Sequence, residues 1–381
     1  MKSKYARKLF KHKNPYDLEK TDLLFVKAMR ENAIYQYEHC SDYRRILDEK
    51  GFDPKSIETM QDLIRLPFIP TVYFKRHPLF SMSKKRMLIK ATSSGTSGKK
   101  SMIGFNFKSL TRGLSMVLRI GRYHKLWSFR PVNYIIFGFE PNRKNQVAIA
   151  KSAYGFTFFA PAKNRNYALR WDKDGYKLDL ESIKQAFIKA SKKKTPIRTI
   201  GFPAYTYMLL KEMQEEGIKL QMPKGSKITV GGGWKQFYTE KVDKQEFYQV
   251  IEDVLGINDK DCIEFFGAVE HPILYTDCRY HHFHVPVHAR VIIRDVDTLE
   301  PVPNGKVGLI NLLTPMVDAV PLLSVMTDDL GILHDSDCPC GEKSPYLEII
   351  GRVGISDVVT CAQGASELLE KLKVGDSNDS L

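Results

Sequence analysis

Between Tyr134 and Gly267 the chain alternates short apolar runs with stretches of helical spacing, and this order restricts the fold more than any other feature of the sequence. Tyr134 to Phe139 reads as a strand, Leu180, Ile183, Phe187 and Ala190 recur at helical intervals, and Ile197 to Phe202 is a second strand that stops at Pro203. Tyr205 to Met213 is helical, and Ile228 to Val230 is a strand running into Gly231-Gly232-Gly233. Phe247, Val250, Ile251 and Val254 mark a helix, and Cys262 to Phe266 is a strand ending at Gly267. Strand, helix, strand in this order means a parallel α/β sheet, with functional groups expected at the carboxyl ends of the strands, where the glycines stand.

The flanks differ. Residues 1 to about 80 read as a helical region, with Leu23, Leu24, Val26, Met29 and Ile34 forming an apolar face after Thr21-Asp22. Pro67, Pro70 and Pro78 predict an extended connection carrying Phe68, Tyr73 and Phe74. An α/β core is expected over 81–350, becoming a β-rich subdomain from about 285, where Val291 to Arg294 and Val307 to Leu313 read as strands joined through Pro303-Asn304-Gly305. Residues 351–381 form a short C-terminal piece.

Thr92-Ser93-Ser94-Gly95-Thr96-Ser97-Gly98-Lys99-Lys100-Ser101 stands between the apolar run at Met87 to Ile89 and a helical segment beyond Ser109. Glycines let a backbone approach an anion and turn successive N–H groups toward it, while hydroxyls and lysines add donors and charge. The stretch is built to wrap phosphate, yet Gly95-x-x-Gly98 is too short for a Walker A loop. A solvated Ser/Gly linker is the alternative.

The balance of 58 Lys+Arg against 44 Asp+Glu gives +14, which favours anionic partners without choosing among them. Neither a groove-reading motif nor an aromatic RNA-binding pattern accompanies the basic runs, so no specific nucleic-acid partner is expected. No stretch has the continuous apolar length of a signal peptide or membrane span, and a cytoplasmic location is expected. Six cysteines in such a chain argue against a disulfide framework. Cys338-Pro339-Cys340 reads as half of a metal site, with Cys278 and one of His281, His282 or His284 as the other half. The alternative is a β-turn with two reduced thiols.

Four patches, in order, resemble the adenylate-forming (AMP-binding) enzymes. Ser93 to Gly98 is similar to their phosphate loop, and Phe266-Gly267-Ala268-Val269-Glu270 to their Y-G-x-T-E element. Met326-Thr327-Asp328-Asp329-Leu330 is similar to their T-G-D-L element, and Gly351-Arg352 followed by Asp357 to their G-R-x-x-D hinge. Pro67-Phe68-Ile69-Pro70, Phe74-Lys75 and Gly231-Gly232-Gly233-Trp234-Lys235 narrow the resemblance to acyl-protein synthetases of the LuxE type, related to phenylacetate-CoA ligases.

The resemblance implies an α/β adenylate-forming fold with parallel and mixed sheets, from which the mobile C-terminal domain is largely missing, since only 24 residues follow Asp357. It implies use of ATP and Mg²⁺ to activate a carboxylic acid, a fatty acid foremost, as an acyl-adenylate. The acyl group would then pass to Cys361 as a thioester, for delivery to a reductase or acyl carrier partner. Ser93, Ser94, Gly95, Thr96, Ser97 and Gly98 would hold phosphate, and Lys99 or Lys100 would take the role of the loop lysine. Glu270 would ligate Mg²⁺, Asp329 the ribose hydroxyls and Phe266 the adenine, with Gly232, Gly233 and Gly267 against the nucleotide and Arg352 on phosphate or ribose. Some phenylacetate-CoA ligases carry a Cys/His/Cys/Cys set, which favours His284 beside Cys278, Cys338 and Cys340 for structural zinc. Core packing of Phe266 and an ordinary salt bridge of Glu270 are the alternatives. An acyl- or aryl-CoA ligase is the nearest alternative activity, and a non-catalytic nucleotide- or RNA-binding protein the alternative from another class.

Overall fold

The computed structural model describes residues 3–92, 101–142, 148–173, 175–232 and 242–352. The chain divides into two compact units: Met1–Arg119 with Ala268–Ile273 and Phe283–Leu381, and Ile120–Gly267 with Leu274–His282. No helix among the described residues is long and apolar enough to cross a membrane.

In the first unit, helices Lys4–Phe10, Asp22–His39, Ser41–Glu49 and Met60–Ile64 come first. Thr59 caps the last of these in a capping box with Asp62, whose carboxylate accepts from the Thr59 N–H at 2.8 Å. Thr71–Arg76 is also helical, against the extended connection that the prolines predict. Pro70 occupies the N-cap position at φ −63°, so it starts the turn rather than preventing it, and Tyr73 and Phe74 are buried by it.

The sheet of this unit runs in the order Phe283–His284, Tyr346–Arg352, Ser324–His334, Val307–Leu313, Arg290–Arg294 through antiparallel pairs, with Ile69–Pro70 added parallel to Ser324–His334. This is the β-rich part expected beyond residue 285. Val307–Leu313 is buried over all but its first residue, as in a strand covered on both faces. Helix Asp22–His39 is fastened to the 317–320 segment by side-chain amides, Asn32 donating to the Val317 carbonyl at 2.9 Å and Gln36 to the same oxygen at 3.1 Å. Arg112 and Asp318 form a buried ion pair beside them at 2.6 Å.

The second unit holds the strands that the apolar runs predict. Val132–Phe139 pairs parallel with both Ala162–Asp172 and Ile197–Gly201, and Ile228–Gly231 pairs parallel with Cys262–Ala268. A parallel bridge from Arg198 to Lys227 links the two sets. Helices Leu180–Ser191, Pro203–Glu215 and Lys244–Leu255 bury Ile183, Phe187, Leu210, Met213, Ile251 and Val254 in one core with Ile135, Phe137 and Ile197. The Ala162–Asp172 and Gly175–Leu178 hairpin was not legible, because its first strand alternates polar residues over a half-exposed face.

Candidate active site

In the first unit, strands Ile89–Thr92 and Met102–Phe105 form an antiparallel hairpin in which Thr92 pairs with Met102. That pair closes the root of the Ser93–Lys100 loop. Ser93, Ser94, Gly95, Thr96, Ser97, Gly98, Lys99 and Lys100 themselves lie outside the described residues. Ser101 is inside, fully buried, and its hydroxyl donates a hydrogen bond to Oε1 of Glu270. Glu270 follows the end of strand Cys262–Ala268 and is only 5% exposed. Ser101, at the foot of the loop, and Glu270, the candidate magnesium carboxylate, are thus in contact across 169 residues of sequence.

Thr327, Asp328 and Asp329 lie inside the long strand Ser324–His334. The pairing with Val307–Leu313 is irregular along this stretch. Asp328 accepts a hydrogen bond from the Thr71 hydroxyl at 3.1 Å. The Asp329 N–H is bonded to Thr327 Oγ1 at 3.2 Å, and its backbone pairs across the sheet with Arg352.

In the second unit, Gly231 and Phe265 are register partners at the carboxyl ends of adjacent parallel strands. A Cβ at Gly231 would stand 2.9 Å from the Phe265 carbonyl oxygen, and Gly232 has φ +92°, so glycine is required at both positions. Phe266 is half-buried, its ring centroid 5.7 Å from that of Tyr275, and Gly267 is exposed. Gly233 and Cys361 lie outside the described residues.

The thiols and imidazole come together. Within the first unit, His284, Cys338 and Cys340 present ligand atoms all within 4.8 Å of one another, and Cys278 precedes His284 in the sequence. Cys278 and His284 are held by one continuous turn, in which the Cys278 N–H donates to the His282 carbonyl at 3.0 Å and the His281 N–H to the Cys278 carbonyl at 2.8 Å. His284 Nδ1 lies 2.9 Å from the Ser344 carbonyl oxygen, which can only accept. That nitrogen therefore carries the proton, and the bare Nε2 faces Cys340 Sγ at 3.2 Å. Backbone N–H groups of Tyr280 and Glu342 donate to the sulfurs of Cys278 and Cys340 at 3.3 and 3.4 Å, which orients both sulfurs. Gly341, at φ +91°, closes the turn back to the Cys338 carbonyl. Thiol and imidazole donors of this kind, with the imidazole tautomer fixed from outside, suit zinc.

Sequence reasoning missed Thr71 and the roles of Ser101 and Ser344. Nothing local marks Thr71 or Ser344.

The family model for acyl-protein synthetase, LuxE, matches residues 8–370. The long-chain-fatty-acid–luciferin-component ligase of Aliivibrio fischeri is 26% identical over 91% of this chain and 88% of its own length. The phenylacetate-coenzyme A ligase of Thermus thermophilus is 24% identical over 88% of this chain and 71% of its own. Among solved structures, an open conformation of 2-hydroxyisobutyryl-CoA ligase in complex with 2-HIB-AMP and CoA matches with TM-score 0.65 at 16% identity, over 89% of this chain and 76% of that one. That likeness gives the adenylate-forming fold. The chain belongs to the LuxE family of acyl-protein synthetases, ligases that activate an acyl group and transfer it.

Proposed function

We propose that this enzyme uses ATP to activate a long-chain fatty acid and transfers the acyl group to Cys361. The acid's carboxylate attacks the α-phosphorus of ATP, the bond to the β-phosphate oxygen breaks, and pyrophosphate leaves. The Cys361 thiolate, its proton given to solvent, then attacks the acyl carbon, and the mixed-anhydride C–O bond breaks to release AMP. The fatty acid is the substrate class named for the luciferin-component ligases, and a thioester on protein is suited to handover to a reductase or acyl carrier.

Negative charge builds on the phosphate oxygens as pyrophosphate departs. The Ser93–Gly98 loop would surround them with N–H and hydroxyl donors, and Lys99 or Lys100 would add a cation. Glu270 would hold Mg²⁺, which neutralises charge on ATP; this ion uses one or two carboxylates together with phosphate oxygens. Asp329 would accept from the ribose hydroxyls, Phe266 would lie against adenine, Gly232, Gly233 and Gly267 would admit the nucleotide, and Arg352 would reach phosphate or ribose. Cys278, His284, Cys338 and Cys340 would hold zinc as a structural brace, since all four protein ligands leave no open position for chemistry.

The observation that carries this reading is the buried Glu270 carboxylate tied through Ser101 to the root of the loop. Pyrophosphate exchange that requires both Mg²⁺ and a fatty acid, and is lost in Glu270→Ala, is the expected result. Exchange that survives Glu270→Ala would remove this residue from the site. Release of acyl-CoA, with no acyl-protein formed, would favour the CoA-ligase activity instead.

A further inference from the structure

The amino ends of the parallel strands in the second unit carry a surface that the acyl chemistry does not use. Val132 pairs with Ala162 and Asn133 with Ile197, so the segments entering these three strands arrive at one edge of the sheet. Gly231 and Phe265 mark the other end of the neighbouring parallel strands. At the entry edge stand Lys125, Arg130, Lys163 and Lys192 to Lys194, all exposed. Residues 120–139, 157–165 and 188–199 contain neither Asp nor Glu. Further along the edge, before strand Cys262–Ala268, Asp261 is paired with Lys227 at 2.8 Å.

The same edge holds aromatic rings in solvent. Phe129 is 102% exposed, Phe158 59% and Trp127 42%. These rings are not on a loose loop. The Leu126 side chain is buried, its N–H donates to the Gly121 carbonyl at 2.7 Å, and its carbonyl accepts from the buried Arg198 guanidinium. The Ser128 N–H donates to the Phe159 carbonyl at 3.1 Å, and the Ser128 hydroxyl bonds both the N–H and the carbonyl of Arg130. Trp127 stands edge-on to Phe159 at 5.0 Å. The backbone is thus pinned on both sides of Trp127 and again beyond Phe129, which holds the rings outward. Arg165 lies over the Tyr154 and Phe158 rings at 5.6 and 5.9 Å, so cation and aromatic surface are interleaved.

We propose that this edge is a docking surface for an anionic lipid bilayer, with Phe129 and Trp127 entering the headgroup region and the lysines and arginines against the phosphates. An apolar ring held fully in water is unfavourable unless something covers it. Aromatic rings flanked by Lys and Arg match the two components of a bilayer interface, an apolar boundary beneath negative charge. The absence of carboxylates from these three segments suits a uniformly negative surface better than a protein partner of mixed charge. The chain would lie on the membrane without spanning it. This inference does not depend on the assignment of Cys361, and it is read by binding rather than by turnover.

The test is co-sedimentation of the full chain with phosphatidylcholine vesicles containing about 30% phosphatidylglycerol, against vesicles of phosphatidylcholine alone, at about 0.1 M salt. The wild type is expected to bind the anionic vesicles and be released by salt. Phe129→Ser, at a position with no packing to lose, is expected to bind about tenfold more weakly, and Phe129→Trp to bind like the wild type. Replacing Lys192, Lys193 and Lys194 with Ala is expected to weaken binding about fivefold per lysine. Acid-dependent pyrophosphate exchange with a water-soluble short-chain acid should be unchanged in Phe129→Ser. Failure of the wild type to bind anionic vesicles, or equal binding by Phe129→Ser, would overturn the proposal. So would Phe129-dependent binding to a single-stranded oligonucleotide in preference to vesicles.

Discussion

Ser101 donates its hydroxyl proton to the carboxylate of Glu270 in the interior of the first unit, at the point where the phosphate-type loop rejoins its hairpin. A hydroxyl here serves a different end from a lysine. In the proposed site it would fix where the Glu270 carboxylate points while leaving that group open to a cation.

Ser101→Ala should therefore weaken magnesium use before it affects stability. A hydrogen bond to a charged group contributes about 1.5–3 kcal/mol, so the Mg²⁺ concentration giving half-maximal pyrophosphate exchange is expected to rise about tenfold or more. Ser101→Thr, which keeps the hydroxyl, should restore much of the effect. An unchanged magnesium dependence in Ser101→Ala would show that the contact does not position Glu270 for the metal.

The four-ligand group makes a prediction about metal content. Elemental analysis of native protein is expected to find about one zinc per chain, and Cys338→Ser or His284→Ala to lose it, with a lower unfolding temperature. Native protein free of zinc, or ligand variants of undiminished stability, would contradict the assignment.

Arg112 and Asp318 test the buried frame. Their side chains are 3% and 13% exposed, and Arg112 also donates to the Met316 carbonyl at 2.7 Å. Removing one partner strands a buried charge, so Arg112→Met is expected to cost about 3–5 kcal/mol in denaturant unfolding. Asp318→Leu in the same chain should recover part of that loss, because the pair is then replaced by apolar contacts.

Buried histidines contribute an acid limb of stability, His271 among them, whose pKa burial lowers from 6.5 to about 3. Burial lowers the pKa of His288 from 6.5 to about 3, with nearby Arg119, His12 and Arg290 adding to it, and burial with Lys227 lowers that of His124 to about 4. Each is neutral when folded and free to protonate when unfolded, so the unfolded state binds more protons below about pH 6.5, and stability falls as pH drops through that value. The slope is up to about 1.4 kcal/mol per pH unit for each histidine until its folded pKa is reached. Neither ring nitrogen of His288 has a hydrogen-bond partner, so His288→Leu should flatten this limb between pH 6 and 4, measured by unfolding at a series of pH values. A slope unchanged from wild type would show that His288 is not the buried neutral group.

Strands Val132–Phe139, Ile197–Gly201 and Ile228–Gly231 were legible because each is buried over nearly its whole length, so its residues form a continuous apolar run such as Tyr134 to Phe139. Pro70 and Thr327-Asp328-Asp329 show where local rules give way. A proline at the N-cap starts helix Thr71–Arg76, and two aspartates that favour turns lie instead within the long strand Ser324–His334, at a break in its pairing with Val307–Leu313, with Asp329 paired to Arg352 on the other side. The motifs point to Glu270 and to Asp328-Asp329. What they do not show is the partners of Glu270 and Asp328, which are Ser101 and Thr71, since a contact across 169 or 257 residues leaves no trace in spacing. The cysteines and His284 stand in the sequence as two short clusters, whereas Ser344, which fixes the tautomer of His284, carries no signal of its own.

The most direct measurement is intact-protein mass spectrometry after incubation with Mg-ATP and a series of fatty acids, followed by peptide mapping of the adduct. The account predicts one hydroxylamine-labile acyl group on Cys361 in the wild type, and none in Cys361→Ser, which still catalyses acid-dependent pyrophosphate exchange. An acyl-enzyme formed at the wild-type level in Cys361→Ser would contradict it.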